Sequence, residues 1–178
     1  LLGAYGIRTP KTTFAESPDA AVDAAQEIGY PVVLKLVAAG VLHKTEAGGV
    51  RLNLNDANAV KKAWREMREQ LAAAQPGAEM LGATVQPMIR RGVETFIGVT
   101  RDPAYGPLIG FGLGGITVEL WKDVAFRIAP LTDADAAEMI EQIRGVKLLD
   151  GFRGAPAADR DAIRDALLRI GRLVTDFP

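Results

Sequence analysis

The sequence predicts an α+β fold, and three observations predict it. Two short apolar runs, Val32–Val37 and Val50–Leu54, flank a polar loop and are framed by helical patterns. From Ala83 onward the chain turns into alternating, strand-like segments separated by glycine and proline turns. Two helical patterns then close it. Helices gathered at the ends of an antiparallel stretch, instead of alternating with every strand, are the mark of an α+β arrangement.

Taken in order, residues 1–5 read as the end of a helix stopped at Gly6. Ser17 caps a helix with Pro18 at its first position, running to about Gly29. Val32–Val37 and Val50–Leu54 are β-branched and leucine-rich and read as strands. Asp56 caps the next helix, whose Val60, Trp64, Met67, Leu71 and Ala74 keep the helical period and mark a core face; Gln75-Pro76-Gly77 ends it. A linker is expected near Pro76–Gly82. Ala83–Ile89, Val93–Thr100, Leu108–Phe111, Ile116–Trp121 and Val124–Ala129 read as strands of an antiparallel meander, the last two joined at Lys122-Asp123. Thr132 with Asp135 three residues on starts one helix. The last runs from about Asp159 to Asp176, with Ile163, Leu167, Ile170 and Val174 on one face. Two lobes are expected, 1–84 and 85–178.

Composition narrows the function classes. The 21 basic and 22 acidic residues leave a net charge of −1, so no basic surface argues for nucleic acid. No apolar run reaches membrane-spanning length. The absence of cysteine excludes disulfides and thiolate zinc sites and fits a cytosolic home, and a single histidine excludes a histidine-rich metal site. Leu1-Leu2 at the start and Phe177-Pro178 straight after a helical pattern are what a piece of a longer chain would show.

The chemistry concentrates between the first two apolar runs. Lys35 lies inside a strand and shares a face with Val33 and Val37. A lysine rarely enters an apolar strand without an anion to pair with. The loop that follows holds His43, the one histidine, and the pair Gly48–Gly49. Paired glycines let backbone N–H groups approach an anion, phosphate above all. Each signal has an ordinary alternative: an edge lysine reaching for solvent, a solvated histidine, a plain turn. All three within fifteen residues, and all suited to one polyanion, favour a phosphate clamp.

Elsewhere the signals are weaker. Pro87 removes a backbone donor from its strand, which makes that strand an edge there or a hinge. Backbone groups around Gln86 and Met88 would then be free to meet a flat heterocycle, or nothing at all. The cluster Gly110–Gly115 is followed by strand-like residues, not a helix, so it is not a dinucleotide fingerprint. Glu119 and Arg127 fall on neighbouring strands; they form a cross-strand ion pair, or Glu119 orients an imidazole by accepting its N–H.

The segments YPVVLKL, LHKTEAGGVRLNL, VQPMI, VETFIGVTRDPAYGPLIGFGLGGITVELWKDVAFRIAPL and LLDGFRG resemble, in order and over nearly the whole chain, the ATP-grasp domain of NDP-forming acyl-CoA synthetases, the ADP-forming and succinyl-CoA synthetase-like group. The resemblance implies an ATP-grasp fold fragment. It also implies a part in the reaction acid + CoA + ATP = acyl-CoA + ADP + phosphate, through an acyl phosphate and a phosphohistidine. It implies that Lys35 meets the nucleotide phosphates, that Gly48 and Gly49 belong to the loop covering them, and that Gln86, Pro87 and Met88 form the hinge at adenine. Glu94 resembles a carboxylate near the nucleotide. Gly114, Gly115 and Glu119 resemble the segment receiving the phosphohistidine loop, and His43 a second phosphoryl carrier. The implied cofactors are ATP or ADP and Mg²⁺, whose ligands the resemblance puts beyond Pro178. The implied partner is a CoA-ligase, CoA-binding domain in the same chain or a partner subunit. A nucleotide-sensing domain fused to a protein acetyltransferase, and a purely structural lobe, are the competing readings.

Overall fold

The computed structural model describes residues 1–39, 48–89, 92–115, 123–151 and 154–177. His43, Glu119 and the expected strand Ile116–Trp121 lie outside the described residues. The chain is α+β and forms two compact units: residues 10–90, and residues 1–9 together with 91–178. The boundary expected at 84/85 falls inside a strand that stays whole in the first unit, and the linker expected near Pro76–Gly82 is internal to that unit.

In the unit of residues 10–90 the elements are β1 (Thr13–Ala15), α1 (Pro18–Ile28), β2 (Val32–Ala38), β3 (Val50–Leu54), α2 (Ala57–Ala74) and β4 (Met80–Pro87). The helices start where side-chain oxygens take up free N–H groups: Ser17 Oγ accepts from Ala20 N at 3.1 Å and Asp56 Oδ1 from Ala59 N at 2.8 Å. The strands form an antiparallel sheet in the order β1-β4-β2-β3. Val32, Leu34 and Leu36 of β2 and Ala83 and Val85 of β4 pack with Val22 and Ala25 of α1 and with Val60, Trp64, Met67 and Leu71 of α2. Burying each of the larger side chains contributes about 1.5–3 kcal/mol. Because strand side chains alternate, the residues between them, Lys35 included, belong to the other face.

β1 is an addition to the elements read from sequence. Its three residues are too few to show a period, yet Ala15 is buried in the core while Phe14 is exposed. β4 is an interior strand, flanked by β1 and β2. Its pairing with β1 spans only Ala83–Val85, so at Pro87 it has β2 alone beside it, which suits a residue with no N–H to donate.

The other unit carries β5 (Thr95–Asp102), β6 (Gly106–Leu113), β7 (Val124–Ile128), α3 (Asp133–Gln142) and α4 (Arg160–Asp176). The sheet is antiparallel in the order β5-β6-β7. Ile109, Phe111 and Leu113 of β6 pack with Met139 and Ile140 of α3 and Leu167 of α4. A capping box of Thr132 and Asp135 starts α3. Asp159 Oδ1 accepts from Ala162 N at 2.9 Å at the start of α4. The expected helix end at residues 1–5 is a single 3₁₀ turn, Leu2–Tyr5, closed by Gly6 in the left-handed region. It is held to α4: Tyr5 Oη donates to Asp176 Oδ2 at 2.7 Å, and Arg169 Nη1 donates to the Tyr5 carbonyl at 2.9 Å.

Candidate functional site

Lys35 sits on an interior strand, which rules out the reading of a lysine at a sheet edge. Its ladder partners are Thr84 on β4 and Val50 on β3, and Thr84 in turn faces Phe14 on β1. Phe14, Thr84, Lys35 and Val50 therefore form one row across the sheet, on the face turned away from α1 and α2. Lys35 is half-buried, and among the described residues it has no hydrogen-bond or ion-pair partner. A half-buried ammonium with no internal partner leaves all three N–H donors for an external anion.

Gln86 lies one step along the same face, opposite Val33. Its Nε2 donates to Thr12 Oγ1 at 2.9 Å, and that hydroxyl donates to the Pro10 carbonyl at 3.2 Å. The side-chain amide is thus held by its nitrogen. Met88 differs from the expectation of free backbone groups, because its N–H already donates to the Pro31 carbonyl at 2.9 Å.

Gly48 and Gly49 enter β3 beside Lys35. The Gly48 carbonyl accepts from Arg51 Nη1 at 2.5 Å and the Gly49 carbonyl from Leu36 N at 2.7 Å. Both oxygens are committed inward, while no described residue accepts from either glycine N–H. In the other unit Glu94 meets Gly114 and Gly115. Its carbonyl accepts from Gly114 N at 2.6 Å, and a Cβ on Gly115 would stand 3.0 Å from its Oε2.

The structure thus brings Lys35, Gly48, Gly49, Gln86, Pro87 and Met88 together in one unit, and Glu94, Gly114 and Gly115 in the other. Of the two residues given catalytic roles, neither His43 nor Glu119 is among the described residues. Arg127, expected beside Glu119, engages α3: its Nη2 lies 3.0 Å from Glu138 Oε2 and its Nη1 donates to Gln142 Oε1 at 3.0 Å. Sequence reasoning passed over Arg51, Thr12 and Asp123. Arg51 carried the signal that singled out Lys35, a charge within an apolar strand. Asp123 was read as a turn residue, yet its two carboxylate oxygens accept from Arg144 N and Gly145 N at 2.8 Å each. No three acidic or histidine side chains among the described residues stand close enough to hold a metal ion.

Two compact α+β units, each with an antiparallel sheet, are an arrangement of the ATP-grasp class. The chain belongs to the ATP-grasp domain family, whose model matches residues 1–178. It is 46% identical over 177 residues to the beta subunit of ADP-forming acetate–CoA ligase II of Pyrococcus furiosus, covering 99% of this chain and 75% of that one. It is 45% identical over 178 residues to ADP-forming acetate–CoA ligase I of Archaeoglobus fulgidus, of which it spans 26%. Among solved structures, acetyl-coenzyme A synthetase 1 of Ca. Korarchaeum cryptofilum, in complex with coenzyme A, Ca-AMPCP and HgCl⁺, matches with a TM-score of 0.93 at 46% identity, over 98% of this chain and 76% of that one. The same protein with coenzyme A and Mg-AMPPCP, its phosphohistidine segment pointing towards the nucleotide binding site, matches with a TM-score of 0.83 at 43% identity, over 98% and 75% of the two chains.

Proposed function

We propose that this chain is the nucleotide-binding part of an ADP-forming acyl-CoA synthetase. It moves a phosphoryl group between ATP and a histidine during the reaction acid + CoA + ATP = acyl-CoA + ADP + phosphate. The observation that carries the reading is Lys35, half-buried and unpartnered among the described residues, on an interior strand beside Gly48–Gly49. In the transfer the β–γ phosphoanhydride bond breaks, ADP leaves with the bond electrons, and an imidazole nitrogen forms the new N–P bond. The reaction asks the protein chiefly for positioning and charge neutralisation. Lys35 supplies charge at the phosphates, the glycine N–H groups supply dipoles, and the Gln86–Met88 segment is the seat of the base. His43 and a histidine on a CoA-ligase partner domain are the phosphoryl acceptors in this reading, with Glu119, Gly114 and Gly115 receiving the phosphohistidine.

Magnesium accompanies the nucleotide analogue in the Korarchaeum structure. Magnesium is usually held by one or two carboxylates together with the substrate phosphates. In this reading its protein ligands follow Pro178, as the resemblance implies. The setting proposed is cytosolic; no helix among the described residues is long and apolar enough to cross a membrane.

Incubating the full-length protein with ATP labelled in the γ-phosphate is the test. Acid-labile label on His43 or on the partner histidine, lost in Lys35→Ala, is the expected result. Absence of acid-labile label, with ADP affinity indifferent to Lys35→Ala, would overturn the reading.

A further inference from the structure

Gly48, the first of the two glycines beside Lys35, is held by a side chain from the opposite face of the sheet. Arg51, with its side chain 20% exposed, reaches toward α2. Its Nη2 donates to Gln70 Oε1 at 2.8 Å, and its Nε lies 3.8 Å from Glu66 Oε2. From that anchored position its Nη1 donates to the Gly48 carbonyl at 2.5 Å and to the Val50 carbonyl at 3.1 Å. Gly48 stands at φ +64°, and a Cβ there would lie 2.1 Å from Gln70 Oε1. The position takes glycine on two counts: the left-handed backbone and the closeness of the Gln70 amide.

The direction of one carbonyl fixes the direction of the next N–H. The Gly48–Gly49 peptide is trans, as are all the described peptide bonds except Tyr30-Pro31 and Ala129-Pro130. In a trans peptide the C=O and the following N–H point in opposite directions. With the Gly48 carbonyl drawn to the Arg51 guanidinium, the Gly49 N–H points away from it. Lys35 is near this peptide, since its ladder partner is Val50, the residue next to Gly49. The Gly49 carbonyl, bonded to Leu36 N, keeps this peptide in register with β2.

We infer that Arg51, seated on Gln70, is a positioning residue that aims the Gly49 N–H at a nucleotide phosphate held by Lys35. Arg51 itself stays on the helix side and touches no ligand. The inference rests on the phosphate-binding reading of Lys35 and adds to it the side chain that sets the second donor. An oriented amide beside an ammonium binds an anion better than an ammonium alone, because the dipole is already aligned and loses little freedom on binding.

The test uses the full-length protein and compares ADP with adenosine, which lacks phosphate. Arg51→Met keeps the length of the side chain and removes its donors. The expected result is about a tenfold loss of ADP affinity with adenosine affinity within about twofold of the parent, a change in ratio that general loosening of the fold would not give. Arg51→Lys, which keeps one donor for the Gly48 carbonyl but cannot also reach Gln70 as a fork, should fall between. If Arg51→Met fails to fold, Gln70→Met serves, since it leaves the guanidinium in place without its seat; about a threefold loss for ADP alone is then expected. Equal losses for ADP and adenosine, or no loss in a folded variant, would overturn the role of Arg51 while leaving Lys35 in the site. Failure of the parent protein to bind ADP at all would overturn both.

Discussion

Lys35 stands opposite Thr84 in the β2–β4 ladder, on the sheet face that α1 and α2 do not cover. Thr84 offers a hydroxyl, not a carboxylate, so the ladder neither neutralises nor repels the ammonium. No described residue neutralises it, and in the proposed reading a nucleotide phosphate does. Lys35→Ala should therefore weaken ADP binding by about 1.5–3 kcal/mol, the usual worth of a charge-assisted hydrogen bond. Folding stability should hardly move, because no described contact is lost. Calorimetric titration beside a urea melt separates the two effects; loss of stability without loss of affinity would return Lys35 to a packing role.

Asp123 ties the approach to β7 to the 3₁₀ turn at Arg144–Leu148, one carboxylate oxygen to each of two consecutive N–H groups. Removing the side chain strands both donors, at about 1–3 kcal/mol for a buried group and less for one that water can reach. Asp123→Ala should lower stability by about 1–2 kcal/mol on that scale, and Asp123→Asn, which keeps one acceptor, by about half as much. Denaturant unfolding measures it. Equal stability of Asp123→Ala and the parent would show that water replaces the carboxylate.

Much of the fold was legible because its signals are local. The caps Ser17, Asp56 and Thr132 each answer to an N–H three residues away, and each was read from sequence; Asp159, read only as the start of the last helix, caps it in the same way. β1 was not, since Thr13–Ala15 earns its place by pairing with Ala83–Val85, far along the chain. The unit boundary was misplaced for the same reason: Tyr5 joins Asp176 across 171 residues, and no local pattern announces it. At the site, Lys35 was visible as a charge among apolar neighbours. Arg51 was read simply as part of a strand, because its role depends on Gln70 of α2, which only the fold brings near.

Gly82 tests how β1 is seated. Its φ is +157°, near the limit of extended backbone, but a Cβ there would stand 2.4 Å from the Ala15 carbonyl oxygen and 2.6 Å from Phe14 Cζ. The ring can swing aside; the backbone oxygen cannot without lifting β1 from β4. Gly82→Ala should cost about 1–3 kcal/mol, the range for overpacking a tight contact. Amide exchange at Thr13–Ala15 should speed up more than in β2. Unchanged exchange there would mean that the strand accommodates the methyl group elsewhere.

The contact between Tyr5 and Asp176 makes a prediction about pH. The phenol donates to the carboxylate at 2.7 Å, and Arg172 Nε donates to the same oxygen at 3.1 Å. The Tyr5 hydrogen bond, with Arg172 second, holds the Asp176 carboxyl below its ordinary 3.8; the same bond holds the Tyr5 hydroxyl above its ordinary 10.0. A carboxylate favoured in the folded state stabilises it fully above the unfolded pKa, and that share is lost as pH falls through the lowered folded value. A phenol held protonated stabilises fully below the unfolded pKa, and that share is lost as pH rises through the raised one. The contribution of the pair is thus flat between about pH 4 and pH 10 and declines outside that window on both sides. Tyr5→Phe removes the hydroxyl and keeps the ring, which meets Phe177 edge to face at 6.4 Å. In that variant the Asp176 titration, followed by the carboxyl carbon resonance, should move up towards 3.8 without reaching it, because Arg172 remains. The stability difference between parent and variant should close as pH drops below that value. An Asp176 midpoint identical in the two proteins would mean that Arg172 alone holds the carboxylate. The Leu2–Tyr5 turn would then owe its place on α4 to the Arg169 bond and the ring contact.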